Sequence, residues 1–284
     1  MYKVKIYGAK EYWTQIPRIT QGFIGIGCEV ADGDDYDFVY SNNFDYENID
    51  AEHKDSAISN SGFKIFNVLD IPEHIKEFPI TKLGEQLKQA NLITCISEPV
   101  QEQLKRILNV DAEIIWNPIK DVFFDPAYKR EINCLYVGRA IDPVKRATLL
   151  SRLAGECYSV GPTMGVGNYL GMANDVSLNQ LYNSAKGVAL PSSFEGLGLT
   201  ALEAMVAGAI PLVCGDNPNS SLCPDFCVCN PTEDAVEEKY RELLANFEEY
   251  QSIILTQYAP KIALKFSKFS VARNIIKVYS ESQK

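Results

Sequence analysis

The stretch from Gly187 to Val213 constrains the fold more than any other part of the chain. Gly187-Val-Ala-Leu190 is a short apolar run of the kind that forms a buried strand. Pro191-Ser-Ser193 ends it. Glu195, Gly196 and Gly198 then make a loop too rich in glycine for a helix or strand interior. From Leu199 to Val206, strong helix formers recur at helical spacing until Gly208 stops them. Ile210-Pro-Leu-Val213 opens another strand. Strand, glycine loop, helix and strand in this order predict a parallel α/β unit.

Ligands of such units sit beyond the carboxyl ends of the strands. The first N–H groups of the helix from about Gly198 face that region and favour an anion or a polar sugar. Two carboxylates bracket the turn: Glu195 in the loop and Glu203 inside the helix, with seven residues between them. A carboxylate on an otherwise apolar helix is costly to bury unless it accepts hydrogen bonds. A pair of sugar hydroxyls is the simplest partner. The plain alternative is an ordinary α/β unit with one surface and one buried glutamate.

The pattern Pro-Ser-x-x-Glu-Gly-x-Gly-x-x-x-x-Glu-Ala-Met-x-x-Gly-x-x-Pro, from Pro191 to Pro211, resembles the donor-site signature of the family 4-like retaining glycosyltransferases (glycosyl transferases group 1) of GT-B fold. The resemblance implies an α/β chain of two facing Rossmann-like domains with parallel sheets and a cleft between them. It implies that Glu195 faces the donor sugar and Glu203 the nucleotide ribose, with Ser193, Gly196, Leu197, Gly198 and Leu199 around the donor. A second segment supports it. Glu131–Val137 reads as a strand, and Gly138-Arg139 follows, with Lys145 six residues past the arginine. Arg139 and Lys145 can converge on a diphosphate, one as a fork and one as a point charge. Similar sequences have Lys-Gly where this chain has Lys145-Arg146, so either of these two cations can be the inward one. Read alone, the segment has two solvated surface cations as its plain alternative. Asn168-Tyr-Leu-Gly171 resembles the lining of the nucleotide-base pocket, with Tyr169 or Leu170 against the base or in the core.

The first part of the chain reads as strands at Tyr2–Tyr7, Gly27–Val30, Asp37–Tyr40, Phe63–Leu69, Leu92–Ile96 and Ala112–Trp116. Helices are expected at Gln15–Ile24, Thr81–Gln89 and Glu98–Leu108, and Asn42–Ser61 is polar and irregular. The resemblance puts a histidine or acid of this domain near the sugar. Asp70 and His74, after the Phe63–Leu69 strand, are the candidates, although residues there also serve as ordinary caps. His53 reads as a surface residue. Further on, Lys145–Leu153 reads as a helix, Phe226–Cys229 as a strand, and Gln251–Ala259 and Lys261–Ser280 as helices. The expected domains are 1–119 on the acceptor side, shortened, 120–262 for the donor, and a tail 263–284 crossing back to the first.

The 284 residues suffice for two domains, and 46% are hydrophobic, as in globular chains. No apolar run reaches membrane-helix length and the first residues lack a signal-peptide pattern, so a cytoplasmic protein without membrane insertion is expected. Eight cysteines, mostly in apolar segments, read as reduced core thiols. Cys223, Cys227 and Cys229 lack standard zinc spacing. Asp32-Gly-Asp34 does not follow a strand end as a metal-binding Asp-x-Asp would, so no metal is expected. Residues 1–130 hold 14 basic and 21 acidic side chains, and only Lys54 opposes ten carboxylates between Glu29 and Asp55. Such a face counts against nucleic acid and anionic lipid.

These readings converge on a metal-independent retaining glycosyltransferase. It would move a sugar from a UDP- or GDP-sugar to an acceptor hydroxyl on a glycan, a small molecule or, against the charge, a hydroxymethylated DNA base. A nucleotide-sugar-binding module and a sugar-nucleotide epimerase of the same fold are the alternatives.

Overall fold

The computed structural model describes residues 1–7, 15–42, 62–71 and 80–284. His53, His74 and nearly all of the Asn42–Ser61 stretch therefore lie outside the described residues. The chain divides into two units, Met1–Pro118 with Lys265–Lys284, and Ile119–Leu264.

The first unit is built on six parallel strands: β1 (Lys3–Tyr7), β2 (Glu29–Val30), β3 (Phe38–Asn42), β4 (Phe63–Val68), β5 (Leu92–Cys95) and β6 (Glu113–Ile114). Their order is β2-β1-β3-β4-β5-β6. β3 is buried along its whole length, as a central parallel strand must be. Helices α1 (Ile16–Gly25), α2 (Ile80–Leu87) and α3 (Glu98–Gln103) connect the strands. The last helix of the chain, named α9 below (Lys268–Ser282), belongs to this unit. It packs Val271, Ala272, Ile275 and Tyr279 into a core with Val4, Ile19, Phe23 and Phe38. The approach to α1 is tight: a Cβ on Gly22 would lie 2.3 Å from the Lys268 carbonyl oxygen, so only glycine fits there.

Three buried polar side chains line the carboxyl ends of β3, β4 and β5. Asn67 Nδ2 donates to Asn42 Oδ1 at 2.8 Å, and Thr94 Oγ1 donates to Asn67 Oδ1 at 2.8 Å. Polar groups without water must pair with each other, which fixes the strand register as well.

The second unit has β7 (Ile132–Val137), β8 (Cys157–Val160), β9 (Asn168–Tyr169), β10 (Ala185–Leu190), β11 (Ile210–Cys214) and β12 (Val228–Cys229). The order is β12-β11-β10-β7-β8-β9, with every neighbouring pair parallel. Counted from β7 this is the doubly wound order of dinucleotide-binding sheets. Its strand order reverses between β7 and β10, where ligands bind. The helices are α4 (Asp175–Ser184), α5 (Leu199–Val206), α6 (Glu233–Ala245), α7 (Phe247–Ile253) and α8 (Ala259–Lys265).

Several elements differ from the sequence reading. Lys145–Leu153 is not one helix but two 3-10 stretches, Pro143–Lys145 and Ala147–Leu153. Arg146 between them is left-handed, with φ 45° and ψ 38°. A left-handed residue cannot continue a right-handed helix, and in a non-glycine it costs on the order of 1 kcal/mol. The Phe226–Cys229 stretch holds a 3-10 turn at Asp225–Cys227 and a strand of only two residues. The tail helices break before Lys268, where Ser267 takes extended backbone and its side chain caps Ser270 N–H.

Candidate active site

The switch point between β7 and β10 collects most of the residues singled out above. Gly138 and Arg139 follow β7, and Pro191 to Gly198 follow β10. Gly198 is the N-cap of α5 and is itself left-handed, φ 76°, a conformation glycine adopts freely. This turns the chain so that the first N–H groups of α5 lie at the carboxyl end of β10.

Lys145 and Glu195, fifty positions apart, meet here: Lys145 Nζ donates to Glu195 Oε1 at 2.7 Å. Ser192 Oγ donates to the same oxygen at 2.6 Å. Both charged side chains are mostly buried, at 21% and 14% exposure. Ser193 ties the loop after β10 to the turn after β7, its N–H donating to the Val144 carbonyl at 2.9 Å. Of the two cations at 145 and 146, Lys145 faces Glu195, whereas Arg146 forks onto both oxygens of Asp216 at 2.7 Å each. That hydrogen-bonded pairing holds the Asp216 carboxyl below the usual carboxylate range and raises Arg146.

Arg139 is far more exposed than the Lys145–Glu195 pair. Its side chain is 66% exposed, and it approaches Asp142 only at 3.6 Å. Leu197 is buried, and Gly196 and Leu199 are half-buried. Gly138 donates its N–H to the Val160 carbonyl at 2.9 Å. Tyr169 and Leu170 are not core residues, with 38% and 47% exposure, and Tyr169 Oη donates to the Gly161 carbonyl at 2.7 Å. In the first unit Asp70 is half-buried, two residues beyond β4.

Glu203 is buried, and its partners come from within the protein. Oε1 accepts the Lys120 N–H at 3.1 Å and Oε2 accepts the Tyr182 hydroxyl at 3.0 Å. Burial, then the carboxylate, pushes the Tyr182 phenol well above its usual range, so it remains a donor. Neither Lys120 nor Tyr182 stands out in the sequence, because a backbone N–H has no residue signature and no motif marks Tyr182. Asn219 is a further residue without a local signal: its Nδ2 donates to the Glu195 carbonyl at 2.5 Å.

All eight cysteines are free thiols. Among the described residues, no group of three or more His, Cys, Asp and Glu side chains is placed to hold a metal ion. Also among the described residues, no helix is long and apolar enough to cross a membrane.

Comparison with known proteins gives this geometry its context. Residues 164–259 match the model of the family described as glycosyl transferases group 1. No curated protein matches the chain in sequence. Among solved structures, Anabaena Alr3699/HepE in complex with UDP and glucose is 13% identical with a TM-score of 0.78, covering 99% of this chain and 100% of that one. Sucrose-phosphate synthase from Thermosynechococcus elongatus is 11% identical with a TM-score of 0.75, covering 98% of each chain. T4 phage BGT in complex with its UDP-glucose substrate is 12% identical with a TM-score of 0.66, covering 98% of this chain and 99% of that one. At these identities the likeness is one of fold. Residues 164–259, about a third of the chain, thus resemble the glycosyl transferases group 1 family, and the whole chain has the GT-B fold of these solved structures.

Proposed function

We propose that the chain is a metal-independent, retaining glycosyltransferase that binds a UDP-sugar at the β7/β10 switch point and passes the sugar to an acceptor hydroxyl. The observation that carries this reading is the Lys145–Glu195 pair at 2.7 Å, beside the N-terminus of α5. When the bond between the anomeric carbon and the β-phosphate oxygen breaks, the electron pair and the negative charge go to the diphosphate. Lys145, Arg139 and the α5 N–H groups supply positive charge for it without an ion. Glu195 accepts hydrogen bonds from the sugar hydroxyls and orients the ring, and Glu203 takes the ribose. Gly138, Gly196 and Gly198 let backbone approach the ligand closely. Tyr169 and Leu170 offer exposed apolar surface to the base.

The choice of UDP follows the similar structures, in which Alr3699/HepE holds UDP-glucose and T4 phage BGT holds its UDP-glucose substrate. The first unit takes the acceptor, with Asp70 near the carboxyl end of β4. Its acidic surface, including Asp34 and Asp35, disfavours nucleic acid against a glycan or small molecule. A cytoplasmic setting fits the eight free cysteines.

Thermal-shift measurements with UDP, GDP and UDP-glucose test this. UDP raises the melting temperature of the full chain, since a ligand at a hundred times its Kd adds about 2.7 kcal/mol. Glu203→Ala abolishes the shift, and Glu203→Gln, which keeps the buried shape, reduces it. An equal shift in wild type and both variants, or no shift with any nucleotide, overturns the assignment.

A further inference from the structure

The Lys145–Glu195 pair joins two loops that are each long and glycine-containing, yet one third loop grips both sides of it. That loop, residues 215–219, follows β11 and is anchored by the Gly215 N–H on the Cys229 carbonyl at 2.8 Å. At one end Asp216 accepts both Nη groups of Arg146, the residue next to Lys145. Arg146 Nε also donates to the Pro191 carbonyl at 2.8 Å, at the start of the Glu195 loop. At the other end Asn219 donates to the Glu195 carbonyl at 2.5 Å. Asn219 is buried and is set in turn by the Asn217 Oδ1, which accepts its N–H at 3.0 Å. Arg146 is also in a left-handed conformation that glycine would adopt without strain. An arginine held there by three charge-assisted contacts is there for its side chain.

We propose that the 215–219 loop positions the Lys145–Glu195 pair, with Asp216 acting through Arg146 on Lys145 and Asn219 acting on Glu195. Asp216 and Asn219 are positioning residues, not catalytic ones. The inference rests on the reading of that pair as the donor-binding group. Asp216 is 44% exposed, and exposed ion pairs contribute little to stability. Its substitution therefore moves the geometry of the pair far more than it moves the melting temperature.

The test uses the full chain with Asp216→Ala, Asp216→Glu and Arg146→Met, and two readouts. The first is turnover of UDP-glucose by hydrolysis. The second is the rate at which an N-hydroxysuccinimide acetate acylates Lys145, followed by mass spectrometry against Lys261, an exposed lysine, as the internal standard. A displacement of about 1 Å at a catalytic group can cost on the order of a hundredfold in rate. Asp216→Ala and Arg146→Met are expected to lower kcat by about ten- to a hundredfold, to change KM by less than about threefold, and to acylate at Lys145 several times faster. Asp216→Glu, which can still fork onto the guanidinium, recovers part of both. Rates of acylation and turnover within about twofold of wild type in both disruptive variants overturn the proposal. Should wild type turn over no nucleotide sugar, the functional reading fails alone and the acylation rates still decide the clamp.

Discussion

Lys145→Ala is expected to lower kcat for nucleotide-sugar turnover by about 10²- to 10³-fold, the largest kinetic effect of any single change at the site. The ammonium is mostly buried, with 21% side-chain exposure against 66% for Arg139, and it faces Glu195, whereas the equally buried Arg146 is taken up by Asp216. Charge at a partly desolvated position acts at a lower effective dielectric than charge in water, so it contributes more to a developing oxyanion. Arg139→Ala is accordingly the smaller loss, about tenfold. Removing Lys145 also leaves the Glu195 carboxylate with Ser192 as its side-chain donor. The control for that second effect is Glu195→Gln. It keeps the shape, deletes the charge, and separates loss of the cation from exposure of an unpaired anion. Steady-state kinetics with UDP-glucose read both variants, and kcat for Lys145→Ala within threefold of wild type would sink the assigned role.

The largest loss of stability is expected from Arg130→Met. Arg130 lies in the segment leading into β7, and its guanidinium donates to three backbone carbonyls: Tyr182 and Ala185 at 2.7 Å each, and Ala207 at 2.6 Å. Those carbonyls end α4 and α5, where the last turn of a helix has no partner of its own and carries partial negative charge. One half-buried side chain thus caps two helices, and those helices carry Tyr182 and Glu203. Burial pulls the guanidinium down to about 10. Methionine fills the volume but removes three hydrogen bonds from a charged donor, at about 1 kcal/mol or more each. The expected loss is about 3 kcal/mol, or roughly 6–12 °C in the transition of the second unit. Calorimetry on the full chain reads it, and a shift below about 2 °C would contradict the capping role. Lysine, a single point of charge, is expected to recover only part of the loss.

The fold was legible where local chemistry decides it. The run Leu199–Val206 is helix in sequence and in structure, because its helix formers and its flanking Gly198 and Gly208 agree with the packing around it. The two parallel sheets follow from alternating strand and helix patterns. What escaped has two physical sources. The first is backbone conformation that no propensity announces: Arg146 in the left-handed region broke the helix expected at Lys145–Leu153, and its reason lies seventy residues away at Asp216. The second is long-range hydrogen bonding. Asn179 and Asn183 of α4 hold the segment after Ile119 by accepting the Phe123 and Asp125 N–H groups at 3.0 and 2.8 Å. The sequence shows these asparagines only as polar residues in a helix. At the candidate site, spacing pointed to Glu195 and Lys145, which the fold brings into contact. The donors that hold Glu203, and the Asn219 that holds the Glu195 loop, come from elements a local pattern cannot connect.

The most direct measurement is a crystal structure of the full chain with UDP. The expected result is a diphosphate within hydrogen-bond reach of Lys145 Nζ and of the first N–H groups of α5, with the ribose hydroxyls on the Glu203 carboxylate. UDP seated away from the β7/β10 switch point, with the Lys145–Glu195 pair untouched, would contradict it.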